Sequence, residues 1–135
     1  MKSMSGFGGG VASLIMKTAA GDDGLVFHFD ASDSSSYSGS GSTSWNDLSG
    51  NGNHATLIGP PSYSTGNGGY LDFDGTNDYG TLPTLDIAGN EITFSVWMFG
   101  IQTTYGSVLF LGDTGDNSGG RILSIHLPYI GTTVY

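Results

Sequence analysis

Gly69–Gly80 reads GYLDFDGTNDYG, and this run decides the fold. Leu71 and Phe73 alternate with Tyr70 and Asp72, the period-2 pattern of a strand with one face buried. Asp74-Gly75 ends it: glycine permits the positive φ of a tight turn, and aspartate bonds its own backbone there. Asn77-Asp78-Tyr79 carries the chain onward. The run predicts a strand, an acidic turn, and a rim bearing carboxylates and tyrosines. Such a rim suits a cation or a sugar, and equally a solvated turn with nothing bound.

The same grammar repeats on either side. Gly24–Asp30 predicts a strand with Leu25, Phe27 and Phe29 on one face and Val26, His28 and Asp30 on the other. Ala31–Thr43 is a serine- and glycine-rich loop with Tyr37 alone in it, too polar to bury. In Ser44–Ala55, SWNDLSGNGNHA, Trp45 and Leu48 are apolar anchors around Asp47, and Ser49–Asn53 is dense in turn formers. Ala55–Ile58 predicts a short strand stopped by Gly59-Pro60-Pro61, and Ser62–Gly68 another polar loop. Ile92–Phe99 is the strongest alternation, with Ile92, Phe94, Val96 and Met98 on one face. Trp97 and Phe99 make its other face partly apolar, so a central strand covered on both sides is expected. Ser107–Leu111 and Arg121–Leu127 predict strands around the acidic loop Asp113–Gly120, and Thr132–Tyr135 begins another. Many short strands between turns make the chain all-β.

Composition narrows the function. At 135 residues the chain is one domain's worth. Three basic residues stand against twelve acidic ones, a net charge of −9. No basic stripe exists to track phosphates or anionic lipid, which argues against nucleic-acid and membrane-surface partners. No apolar run approaches the roughly 20 residues of a membrane-spanning helix, so no membrane insertion is expected. The absence of cysteine removes disulfides and thiolate metal sites.

Residues 1–21 differ in character from 22–135. Gly6-Phe7-Gly8-Gly9-Gly10 reads as flexible and Val11–Met16 as a short apolar plug. The glycines fall where the apolar part of a secretory signal should be, which argues against one. A disordered leader needs no apolar cluster, so the segment is expected to be an extended arm. Phe7, Val11, Leu14, Ile15 and Met16 would be its anchors on another subunit.

Four pieces in order resemble the laminin G-like, concanavalin A-like family of jelly-roll β-sandwiches. They are GLVFHFD (24–30), WNDLSGNGNHA (45–55), LDFDGTNDY (71–79) and ITFSVW (92–97). The resemblance spans about Gly21–Tyr135 and implies a jelly-roll sandwich behind the N-terminal arm. Members are generally longer at the C-terminal end. The sandwich is therefore expected to be incomplete there, with its last edge met by more chain or by a neighbouring subunit of an oligomer. The fold hosts lectins, enzymes and scaffolding modules alike. By analogy, similar arms fix decoration or fibre modules to tailed-phage particles.

The residues favour recognition over catalysis. Glycoside hydrolysis needs two suitably spaced carboxyl groups, and Glu91 is the single glutamate. There is no Gly-x-Ser-x-Gly elbow, and His28, His54 and His126 lack zinc-site spacing. Calcium is the better cation candidate, since it takes carboxylate, amide and carbonyl oxygens. The resemblance implies a rim calcium, for which Asp47, Asp74 and Asp78 are the positions to test; Asp113 and Asp116 form a second acidic loop. Sugar binding wants an aromatic face beside polar groups, which selects Tyr37, Tyr70, Tyr79 and Asn77. Each also has the plainer reading of a packing or turn residue. The expected function is a non-catalytic, lectin-like module on an extracellular or virion surface, binding a glycan or cell-surface receptor. The alternative is a structural subunit anchored by its arm, without a ligand.

Overall fold

A computed structural model describes residues 3–5, 8–17, 24–85, 87, 91–99, 107–111 and 123–126. Within them the chain is all-β, with two antiparallel sheets and no α-helix. The strands are β1 (Ser3–Ser5), β2 (Gly8–Lys17), β3 (Leu25–Asp30), β4 (Ser44–Trp45), β5 (Ala55–Ile58) and β6 (Ser62–Ser64), followed by β7 (Tyr70–Asp74), β8 (Tyr79–Thr81), β9 (Thr93–Phe99), β10 (Ser107–Leu111) and β11 (Leu123–His126). One sheet runs β11-β10-β1-β8-β5-β4. The other is built on β2, which pairs with β3, β7 and β9, while β6 lies beyond β7.

β2 has three partners and only two edges. Val11 pairs with both Met98 and Leu71, and Met16 with both Phe94 and Phe27. Thus β9 holds one edge of β2, while β7 and β3 lie end to end along the other. Where they meet, Gly69 takes a backbone conformation and a space in which any side chain would be strained. Its φ is +115°, and a Cβ there would stand 3.0 Å from the Ser32 Cα and 3.1 Å from the Ala31 oxygen.

The separate arm expected over residues 1–21 is therefore corrected for its described part. β1 sits between β10 and β8, and β2 is the hub of the second sheet. Val11, Leu14 and Met16 are buried in this chain's own core, so they are not free to anchor a neighbour. Ile15 is half-buried on the opposite face, and Phe7 lies outside the described residues. A β-bulge hid the strand in the sequence. The step from Val11 to Ser13 faces the single step from Met98 to Trp97, so Ala12 is extra. Inward positions then change parity, from Val11 to Leu14 and Met16, and the alternation looks broken.

The core lies between the sheets. Phe27, Phe29, Leu71 and Phe73 come from the β2 sheet; Trp45, Ala55 and Leu57 come from the other. The Phe29 ring stands 5.3 Å from the Trp45 ring and 5.1 Å from Phe27. These aromatic rings carry much of the apolar area removed from water. Phe94, Val96 and Met98 pack against this cluster as expected. Ile92 does not: it precedes β9 and is exposed. Among the described residues β9 is also not central: it pairs only with β2, and Trp97 on its other face is 76% exposed.

A close approach fixes the Ile58–Pro60 turn against the acidic turn. Gly59 has φ +57°, and a Cβ there would meet Asn77 Nδ2 at 2.6 Å and the Asn77 carbonyl oxygen at 2.8 Å. Gly59→Ala should therefore suffer both the left-handed backbone cost, about 1–2 kcal/mol, and a backbone clash. Gly50, at φ +86° with nothing within 4 Å, separates the two effects. Urea midpoints should fall clearly further for Gly59→Ala than for Gly50→Ala; equal shifts would show that the two turns do not touch in solution.

Candidate functional site

The serine- and asparagine-rich loop after β3 does structural work. β3 gives one edge to β2, and the backbone groups of Val26, His28 and Asp30 point the other way. Among the described residues no strand pairs there; residues 36–53 bond to those groups instead. Ser36 Oγ accepts the Asp30 N–H at 3.1 Å, and Asp47 Oδ1 accepts the His28 N–H at 2.9 Å. The Leu48 N–H donates to the His28 oxygen at 2.8 Å. Asn53 Nδ2 donates to the Val26 oxygen at 2.8 Å, and Asn51 Nδ2 to the Leu25 oxygen at 2.6 Å. A polar segment thus completes a sheet edge with side chains where a strand would use backbone. The Ala31–Thr43 loop is accordingly not all exposed: Ser36 and Tyr37 are buried.

Asp47 is the knot of this strap. Oδ1 accepts the N–H groups of His28 (2.9 Å) and Ser49 (2.8 Å). Oδ2 accepts the Ser49 hydroxyl (2.6 Å) and the Asn53 N–H (3.0 Å). The Asp47 N–H in turn donates to His54 Nδ1 at 3.0 Å. Burial pushes the carboxyl up, but the bonds from Ser49, His28 and Asn53 outweigh it and hold it below its ordinary value. Both oxygens are fully engaged by protein donors, which does not fit a calcium ligand.

The acidic turn is bonded to itself. Asp74 Oδ1 accepts the N–H groups of Thr76 (2.7 Å), Asn77 (3.1 Å) and Asp78 (3.3 Å), which lower its carboxyl. Asp78 Oδ2 accepts the Asp74 N–H at 3.1 Å. Burial raises the Asp78 carboxyl, and the Asp74 and Asp72 charges add to that rise. Among the described residues, no three His, Asp or Glu side chains converge as a metal site requires. Asp113 and Asp116 lie outside the described residues.

The four residues chosen for sugar contact are not brought together. Tyr37 is interior, 5.3 Å from the Tyr63 ring, with burial first raising its hydroxyl. Tyr79 is on β8 of the other sheet, and Asn77 is on the exposed turn beside Gly59. Tyr70 lies half-exposed on the outward face of β7.

That outward face holds the feature missed in sequence. Pairing places Trp97, Ser13 and Asp30 side by side across β9, β2 and β3. The next row is Ser95, Ile15 and His28. Asp72 and Asp74 continue the face on β7. An exposed indole beside small and polar neighbours forms a platform with hydrogen-bonding groups at its margin. The phase of Trp97, opposite to Phe94, Val96 and Met98, already placed it outward. Its apolar character suggested a cover that the described residues do not supply. Comparisons with family models, curated proteins and solved structures found no match for this chain.

Proposed function

We propose that this chain is a non-catalytic recognition module whose outward β9-β2-β3 face stacks a glycan on Trp97. The exposure of Trp97, 76% in a strand whose alternate residues pack on the core, carries the reading. A large indole left open on a sheet face is a stacking surface; Ser13 and Ser95 offer hydroxyl partners beside it, and the Asp30 carboxylate lies one strand beyond Ser13 in the same row. The single glutamate, Glu91, supports a role without glycoside cleavage. The fold we propose for it is a laminin G-like jelly-roll sandwich, supported by strands at 25–30, 70–74 and 93–99, where three of the four resembling motifs lie. An extracellular or virion surface suits such a module.

A glycan array tests this. The intact chain should bind at least one glycan class, and Trp97→Ala should weaken that binding tenfold or more. The same substitution should change unfolding free energy by no more than about 0.5 kcal/mol, as for an exposed site. A blank array for the intact chain removes the proposal.

One observation favours a second reading, a structural subunit. β9 offers a seven-residue edge that pairs with nothing further among the described residues. A blank array together with a sedimenting oligomer selects it.

A further inference from the structure

The outward face is negative as well as aromatic. Asp30, Asp72 and Asp74 lie on it, opposite β9, and Lys17 is the basic residue that the pairing adds, at the far end of β2. Asp30 stands two strand spacings, roughly 10 Å, from Trp97 in the same row. A pyranose stacked on the indole, with its ring substituent, bridges that span. The Asp72 and Asp74 charges already act on Asp78, whose carboxyl is raised first by burial and then by them. The whole chain, at −9, has the same sign.

Resting on the glycan reading above, we infer that the sugar taken by this face carries free amines, and that uronic-acid chains are excluded. An ammonium over or beside the indole gains a cation–π attraction, and a second one, reaching Asp30 two strand spacings along the row, gains a charge-assisted hydrogen bond. An N-acetylated sugar keeps the stacking and loses both. A carboxylated sugar meets like charge on approach. Asp30 is suited to this without disturbing its own turn. Its Oδ1 accepts the Ser32 N–H (2.8 Å) and hydroxyl (2.6 Å), an arrangement that Asp30→Asn retains.

The experiment titrates the intact chain with three oligosaccharides of equal length: a glucosamine oligomer, its N-acetylated counterpart, and a galacturonate oligomer, at a pH where the amines are protonated. The glucosamine oligomer should bind at least tenfold tighter than the acetylated one, and the galacturonate should not bind. The advantage should shrink between about 0.01 M and 0.15 M salt, as the screening length falls from roughly 30 to 8 Å. Asp30→Asn with Asp72→Asn should bring the ratio of amine to acetyl affinity towards one, with an unchanged melting profile. Trp97→Ala should weaken both. Equal affinities in the intact chain, or preference for the galacturonate, overturn the inference and leave the glycan reading standing. Silence from all three, with a blank array, removes both.

Discussion

A chain lacking residues 1–20 will not fold. The deletion removes β1 from between β8 and β10, and β2 from between β9 and the end-to-end strands β3 and β7. It also removes Val11, Leu14 and Met16, each at most 1% exposed. Truncating one buried Leu or Met to Ala costs about 2–5 kcal/mol, and a whole domain has only about 5–15 kcal/mol to lose. Three such losses, together with the strand pairing of both sheets, exceed that margin. The truncated chain should show no cooperative melt, no dispersed amide spectrum and the tryptophan emission of an exposed indole. Single substitutions grade the claim. Leu14→Ala and Met16→Ala should each cost about 2–5 kcal/mol, and the half-buried Ile15→Ala distinctly less. A cooperative transition from the truncated chain would return these residues to the role of a detachable arm.

Asp47→Ala should be the most damaging single polar change. It strips an acceptor from the His28, Ser49 and Asn53 N–H groups and from the Ser49 hydroxyl at once. Each buried group left unpaired costs about 1–3 kcal/mol, and water reaching the loop softens part of the sum, so about 3–5 kcal/mol is expected. The charge gives the effect a pH signature. The folded carboxyl lies below its ordinary 3.8, so Asp47 stabilises fully above that value. The contribution is lost as pH falls through the lower folded value, because there the folded form must take up the proton too. Urea midpoints between neutral and strongly acid pH should drop more steeply in the wild type than in Asp47→Asn below about pH 4. Parallel profiles would show that the charge at Asp47 is not what the loop holds.

The strands that announce themselves in the sequence are those whose period is unbroken. Leu71 and Phe73 in β7, Phe27 and Phe29 in β3, and Phe94, Val96 and Met98 in β9 all face the core as their alternation requires. β2 was illegible because one extra residue at Ala12 shifts its phase and three glycines open it. Glycine reads as flexibility when the pairing partner is unknown; Gly9 pairs with Phe73 and Gly10 with Asp72. The strap over β3 was illegible for a different reason. Its bonds run between residues 6 to 27 positions apart, from side chains whose composition alone signals solvent. As for the site, aromatic residues near turns drew attention to Tyr37, which is interior. Trp97, whose outward phase was plain, needed the missing cover on its face to be recognised.

The strap also sets how copies of this sheet can add to one another. Growth by β-pairing into an open-ended stack needs two complementary free edges on every subunit, whereas a symmetric pair needs one. On the β3 side the backbone is already satisfied by residues 36–53, and what remains beside it is the three-residue β6. On the β9 side seven residues stand open among those described. Edge pairing is therefore one-sided. It can close two copies into a pair, and among the described residues this sheet has no second handle of comparable length from which a fibre would grow.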